Sequence, residues 1–144
     1  MDKVEQAVSC FKEGFSCTQA MLSTYGLDFG LDLETALKVA GAFGGGMGRM
    51  GEICGAVTGA FMVIGLKYGN IRAEDSQAKE KTYSLVKKFV ERFKSRNGSI
   101  VCRELLGCDI STPEGMELAK EKNIFTTLCP KLVSDAAEII EQIL

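Results

Sequence analysis

The chain contains no histidine among its 144 residues, and this absence narrows its chemistry. It excludes a histidine general base, a Ser–His triad, a Cys–His protease pair and a 2-His-1-carboxylate iron site. Zinc sites that need histidine are excluded as well. Any special chemistry must therefore come from the six cysteines, from carboxylates or from a bound cofactor.

Long apolar runs and a strong charge imbalance are also missing. The uncharged stretch from Ile53 to Leu66 has 14 residues, whereas a membrane helix needs about 20. The N-terminus is amphipathic and lacks the apolar region of a secretory signal. A net charge of −2 provides no basic footprint for nucleic acid. We therefore expect no membrane span, no nucleic-acid partner and a cytoplasmic location, where stable structural disulfides are unusual.

Hydrophobic periodicity predicts helices along the whole chain. Ser16 followed by Gln19 forms a capping-box pattern. A helix over about residues 73–96 is expected to bury Tyr83 and Phe93 on one face. No stretch alternates in the manner of a strand. The sequence therefore predicts an all-α fold, a single domain over residues 1–144 with about six or seven helices in a compact bundle.

The stretch from Gly44 to Gly69 is predicted to form the centre of this bundle. Its uncharged part is apolar on every side, as expected of a fully buried helix. Gly55 and Gly59 share one stripe of that helix, where they allow a neighbouring backbone to approach closely. The helix is preceded by the glycine-rich segment, residues 44–51.

The glycine-rich segment contains a G-x-G-x-x-G match from Gly46 to Gly51. A dinucleotide site also needs a preceding strand, and the preceding residues here follow a helical pattern. Two interpretations remain: a hinge between helices, or a loop whose backbone N–H groups hold an anion, a thiolate or a sulfide.

Four of the six cysteines fall at or near predicted helix starts. Cys17 follows the cap Ser16, Cys54 lies in the first turn of the central helix, Cys102 comes three residues after Ser99, and Cys129 precedes Pro130 at a predicted N-cap. The positive end of a helix favours the thiolate, which attacks disulfides and binds metals. We therefore expect Cys54 to be the most perturbed thiol and to react at a lower pH than Cys10.

The alternative is that these thiols have no function, since buried free cysteines behave as small hydrophobes. No Cys-x-x-Cys pair is present, so a site would have to assemble from four separate helices. Cys10, inside a helix, and Cys108, in a predicted loop, are interpreted as ordinary residues.

The cysteine motifs resemble a small family of bacterial and archaeal redox-active proteins named for a C-G-A-x-x-G motif. The matching segments are GFSCTQA around Cys17, Cys54 to Gly59, VCRELLG around Cys102, LCPKL around Cys129, and the stretch GGGMGRMGEICGA. The resemblance spans nearly the whole chain and implies that these four cysteines form the functional set. A domain of this type is also similar to one fused to split-Soret-type cytochromes, which points toward an iron–sulfur centre.

The sequence thus leads to three functional hypotheses. The favoured one is a redox protein whose four cysteines, Cys17, Cys54, Cys102 and Cys129, ligate an iron–sulfur cluster or another metal for electron transfer, or cycle as dithiol and disulfide without metal. The second is an enzyme with a cysteine nucleophile, activated by Lys131 or by a helix dipole. The third is a partner-binding helical module with inert cysteines.

Further candidate residues surround the cysteines in the sequence. The candidate cofactor-binding residues are Gly45, Gly46, Gly48, Arg49 and Gly55. The sequence does not identify the redox partner, and it leaves open whether the protein forms a homo-oligomer.

Overall fold

The computed structural model describes residues 1–144 and is built from helices without any strand. The α-helices are α1 (Lys3–Lys12), α2 (Cys17–Tyr25), α3 (Leu33–Ala40), α4 (Gly44–Met47), α5 (Gly55–Tyr68), α6 (Ser76–Asn97), α7 (Cys102–Leu106), α8 (Pro113–Glu121), α9 (Ile124–Thr127) and α10 (Cys129–Ile143). Two 3₁₀ turns, Gly26–Phe29 and Gly41–Phe43, follow α2 and α3. The all-α prediction is confirmed, although the short α4 and α9 were not expected.

Local capping explains several of these boundaries. The predicted capping box opens α2: the Ser16 side chain accepts from the Gln19 N–H, and the Gln19 side chain accepts from the Ser16 N–H. Such reciprocal bonds satisfy two of the backbone donors that a helix start leaves free. The cap holds the first residue of α2, Cys17, in a defined place.

Helix α5 is the central element, as predicted, and its most extensive contact is with α2. A Cβ placed on Gly55 would lie 2.6 Å from Thr18 Oγ1, and one on Gly59 would lie 2.6 Å from Met21 Cβ. Both distances are shorter than real Cβ contacts. The predicted close approach along the glycine stripe is therefore confirmed.

Helix α6 covers one side of α5 with most of the predicted face, Tyr83 excepted. Phe89 and Phe93 are fully buried and stack with ring centroids 5.8 Å apart. Tyr83 is 54% exposed, so its assignment to the buried face was wrong. Residues 83 and 93 are ten apart, so their side chains point about 80° away from each other around the helix.

The buried residues form two clusters, and the cysteines lie where these meet. Cys54 belongs to the larger cluster around α2, α5 and α10, while Cys102 and Cys129 belong to a smaller one with Leu106 and Ile124. Cys17 packs against both clusters. No helix in the structure is both long enough and apolar enough to span a bilayer.

Candidate functional site

The four motif cysteines line one small internal cavity. Cys17, Cys54, Cys102 and Cys129 all face a space of about 80 Å³. Gly45, Gly46 and Gly55 also line it, and its remaining walls are mostly apolar, including Phe11, Leu106, Ile110, Phe125 and Leu132. Four segments that are distant in sequence therefore bring their thiols to a common space.

A short antiparallel bridge places Cys54 beside Cys102. Ile53 pairs with Val101, the Cys54 N–H donates to Ile100 O at 2.8 Å, and the Cys102 N–H donates to Glu52 O at 2.5 Å. An ion pair of 3.0 Å between Arg103 and Glu52 lies next to this bridge. Because the bridge joins residues nearly fifty positions apart, no local pattern in the sequence predicts it.

The start of α2 brings Cys17 to Cys54. A Cβ on Gly55, the residue after Cys54, would lie 3.1 Å from Cys17 Cβ and 3.0 Å from the Thr18 backbone nitrogen. A larger residue at position 55 would push the two helix starts apart. Gly55 thereby keeps these two cysteines on the same cavity.

The structure places three cysteines slightly differently from the predicted helix starts. Cys54 is the N-cap of α5 and does not lie within its first turn. Cys129 is the first residue of α10, and the preceding Leu128 already has helical angles (φ −88°, ψ −48°), so α9 leads almost directly into α10. Cys102 begins the five-residue α7 after Val101, and Ser99 instead accepts from the Val101 N–H at 3.0 Å.

The glycine-rich segment adopts a left-handed backbone, so α4 is a left-handed turn and not a regular α-helix. Five consecutive residues have φ between +64° and +70°, namely Gly45, Gly46, Met47, Gly48 and Arg49. Glycine adopts this region without steric cost, whereas other L-residues pay about 1–2 kcal/mol each. The high glycine content is therefore a requirement of this turn.

The backbone N–H groups of this segment are largely engaged. Those of residues 48 and 49 donate to Gly44 O, and those of residues 50, 51 and 52 donate to the carbonyls of residues 47, 45 and 46. These five donors are consequently unavailable for the predicted contact with an anion or a sulfur. The segment instead forms a wall, in which a Cβ on Gly46 would lie 2.7 Å from Cys102 Cβ.

Burial dominates the acidity of two of the thiols. It raises the pKa of Cys54 to about 11, and the nearby N–H groups of Ala56 and Val57 only partly offset it. Burial, followed by the charges of Cys54 and Cys129, raises the pKa of Cys102 to about 12. The expected low-pKa thiol at Cys54 was therefore wrong, because desolvation outweighs the helix start.

Cys17 and Cys129 behave as a coupled pair. Their side chains interact directly, and this interaction lowers the pKa of Cys129. The same interaction, followed by burial and by the charges of the other three cysteines, raises the pKa of Cys17 well above its ordinary value. The interaction therefore favours ionisation of Cys129 before ionisation of Cys17.

The other two cysteines lie outside the cavity. Cys10 in α1 is half-buried, with its sulfur 3.6 Å from Ser23 Oγ. Cys108 is close enough to Cys102 for its charge to raise the pKa of Cys102. The proximity arises because α7 is short and Cys108 follows its C-cap, Gly107.

Lys131, the residue considered as an activating base, does not serve the thiols. Its ammonium donates to Asp135 at 2.7 Å and to Asn97 at 2.9 Å.

All six cysteines are free thiols, and no three Cys, Asp or Glu side chains are close enough together to hold a single metal ion. The arrangement is that of a small all-α protein with four thiols spread around a shared cavity. The chain belongs to the family described as "Putative redox-active protein (C_GCAxxG_C_C)", whose model matches residues 15–143. Comparisons with curated proteins and with solved structures gave no match.

Proposed function

We propose that Cys17, Cys54, Cys102 and Cys129 form one redox site that holds an iron–sulfur cluster and transfers electrons to a partner protein. The observation that carries this proposal is the common cavity of about 80 Å³ that all four thiols line. The match to a redox-active family supports the general class of function.

The spread of the four sulfurs favours a cluster over a single ion. Around one tetrahedral zinc, with Zn–S bonds of about 2.3 Å, neighbouring sulfurs lie only about 3.8 Å apart. No such tight group is present. A cluster distributes its cysteine ligands over two or more irons, so its ligand sulfurs can be farther apart.

The electrostatics of the cavity also favours binding of positively charged ions. The raised pKa values of Cys54 and Cys102 mean that their thiolates are costly without a compensating charge. Iron ions supply that charge, and metal binding displaces the thiol protons. When bound, the cluster supplies one-electron transfer. The apolar wall limits the access of water to it. In a reducing cytoplasm the unbound thiols stay free of disulfides.

The glycines are proposed to make room for the cluster. Gly45, Gly46 and Gly55 line the cavity, and a side chain on any of them would meet neighbouring atoms at 2.8 Å or less. Gly48 and Arg49 lie on the outer side of the same segment. The Arg49 stem packs over Gly45, and we assign its charge to offset the negative charge of the cluster.

Anaerobic purification tests this function. The protein should contain iron and acid-labile sulfide and absorb visible light. Serine replacement of each cavity cysteine, Cys17, Cys54, Cys102 or Cys129, should lower the iron content, whereas Cys10→Ser should not. Colourless, iron-free protein from anaerobic, iron-supplied cells, or equal iron loss in Cys10→Ser, would contradict the proposal.

A second candidate function follows from the direct interaction between Cys17 and Cys129. In the metal-free protein the Cys129 thiolate attacks a substrate disulfide and displaces one thiolate. Cys17 then loses its proton and attacks the mixed disulfide, releasing the second thiol and leaving a Cys17–Cys129 disulfide. The substrate disulfide gains the two electrons that the cysteine pair loses.

Peptide mapping under non-reducing conditions distinguishes this candidate. Oxidation of the metal-free protein with glutathione disulfide should link the Cys17 and Cys129 peptides. Random linkage that includes Cys10 equally would argue against a dedicated pair.

A further inference from the structure

A larger open cleft adjoins the cysteine cavity on the outside of the glycine-rich segment. Its volume is about 890 Å³, within the roughly 300–1,000 Å³ of ordinary small-molecule sites. The cleft and the cavity share five lining residues, Phe11, Ser16, Gly45, Ile110 and Phe125. These residues form the partition between the two spaces.

The charged residues of this cleft are all cationic. Lys12 at the end of α1, Arg49 in the glycine-rich segment and Lys120 in α8 line it, and no carboxylate does. This is unexpected in a chain with a net charge of −2. Three cations from separate elements create a positive potential inside a concave surface, which attracts anions.

These cations have no partners within the protein. Lys12, Arg49 and Lys120 form no salt bridge, although six other lysines and arginines do. No side-chain hydrogen bond engages them either. Their donors are therefore free to bind a ligand in the cleft.

The rest of the lining is suited to an apolar group. Phe11, Phe15, Met116 and Phe125 contribute aromatic and thioether surface, and Phe15 is 36% exposed. Gln19 and Thr126 add polar side chains that can orient a ligand. An ordinary ligand site has this composition, a mostly apolar surface with a few polar groups.

We infer that this cleft binds a small organic anion, a carboxylate- or phosphate-bearing molecule with an apolar body. The anionic group lies among Lys12, Arg49 and Lys120, and the body lies against the phenylalanines. This inference goes beyond the proposed function and does not depend on it, since no cavity cysteine takes part in the binding.

The test compares two fluorescent probes with related aromatic bodies. 8-Anilinonaphthalene-1-sulfonate carries an anionic group, and N-phenyl-1-naphthylamine is its uncharged counterpart. Lys12→Gln combined with Lys120→Gln removes two cleft charges and leaves Arg49, which is assigned to the cluster, intact. The control combines Lys87→Gln with Lys88→Gln, two exposed lysines of α6 outside the cleft.

The sulfonate probe should bind the cleft double variant roughly fivefold more weakly than the parent protein. Its affinity for the α6 control should stay unchanged, as should that of the uncharged probe for all three proteins. Benzoate and phenyl phosphate identify the preferred anionic group by displacing the sulfonate probe. Unchanged sulfonate binding in the cleft variant, equal weakening in the control, or displacement by neither anion would overturn the inference. Iron content is not read in this experiment, so its outcome is independent of the cluster test.

Discussion

Cys54 occupies a position where two physical effects oppose each other. As an N-cap it lies beside the N–H groups of Ala56 and Val57, which favour the thiolate. It is also buried, and removal of water disfavours the charge. The second effect is larger, so the thiol is expected to carry its proton at neutral pH.

This shift makes the stability of the metal-free protein depend on alkaline pH. The pKa of Cys54 rises from 9.0 to about 11 on folding, so the folded state binds the proton more tightly than the unfolded chain. The stabilising contribution is complete below pH 9 and is lost as the pH rises through 11. Cys54→Ser removes this titration but keeps a residue suited to an N-cap. Between pH 9 and 11 the melting temperature of the parent should therefore fall more steeply than that of the variant. Parallel profiles would contradict a burial-raised pKa at Cys54.

Alanine substitutions at Gly46 and Gly48 distinguish the cost of backbone strain from the cost of overpacking. Both have positive φ, +70° and +64°, but a Cβ on Gly46 meets Cys102 at 2.7 Å, whereas one on Gly48 meets nothing closer than 3.5 Å. Gly48→Ala should cost about 1–2 kcal/mol from φ alone. Gly46→Ala should cost about 1–3 kcal/mol more because of overpacking. Urea unfolding measures the free energy of unfolding of both variants. Equal losses of stability would mean that the cavity wall rearranges to accept the added methyl group.

At the scale of elements, the contact between α2 and α5 positions half of the site. It brings the Cys17 end of α2 against Gly55, next to Cys54. The glycine stripe makes this approach possible, so the distance between two cysteines depends on residues that carry no side chain.

A matched pair of glycines within α5 tests this contact. Gly59 lies against Met21 Cβ and Thr18 O, whereas a Cβ on Gly65 would have no neighbour within 4 Å. Gly65→Ala should stabilise the protein by up to about 1 kcal/mol through helix propensity. Gly59→Ala should lose more than this gain and lower the melting temperature. If both variants melt at a higher temperature than the parent, the helices are not in tight contact.

At the scale of the whole molecule, ion pairs connect the long helices that enclose the core. Asp135 of α10 accepts from Lys131 at 2.7 Å and from Arg96 of α6 at 3.2 Å, and its side chain is 13% exposed. Burial works against the charge of Asp135, but the hydrogen bonds and neighbouring cations outweigh it and hold its pKa below its ordinary value. The pair with Arg96 therefore stabilises the packing of α10 on α6, and this contribution is lost as the pH falls through the lowered pKa.

Asp135→Asn should destabilise the protein by about 1 kcal/mol, since Lys131 loses its carboxylate and Arg96 keeps only Glu138. The control is Glu34→Gln, which breaks an exposed pair with Lys38 within α3 and should cost less than about 0.5 kcal/mol. Chemical denaturation at neutral pH measures both. Equal effects would show that the link between α6 and α10 contributes no more than a surface pair.

Much of the molecule was determined by local sequence. The capping box of Ser16 and Gln19, the apolar character of α5 and the stripe of Gly55 and Gly59 depend on residues close together in the chain. Helical periodicity and caps act over a few residues, so these features could be predicted without coordinates. The family resemblance rested on motifs of the same short range.

Only the tertiary structure decided the state of the thiols and the shape around them. The bridge between residues 53 and 101 places Cys54 beside Cys102, and the meeting of α2 with α10 couples Cys17 to Cys129. The cationic cleft likewise combines Lys12, Arg49 and Lys120 from three separate segments. Burial and electrostatic coupling depend on every group within several ångströms, wherever it lies in the chain, so the helix-start argument for Cys54 failed once the core closed around it.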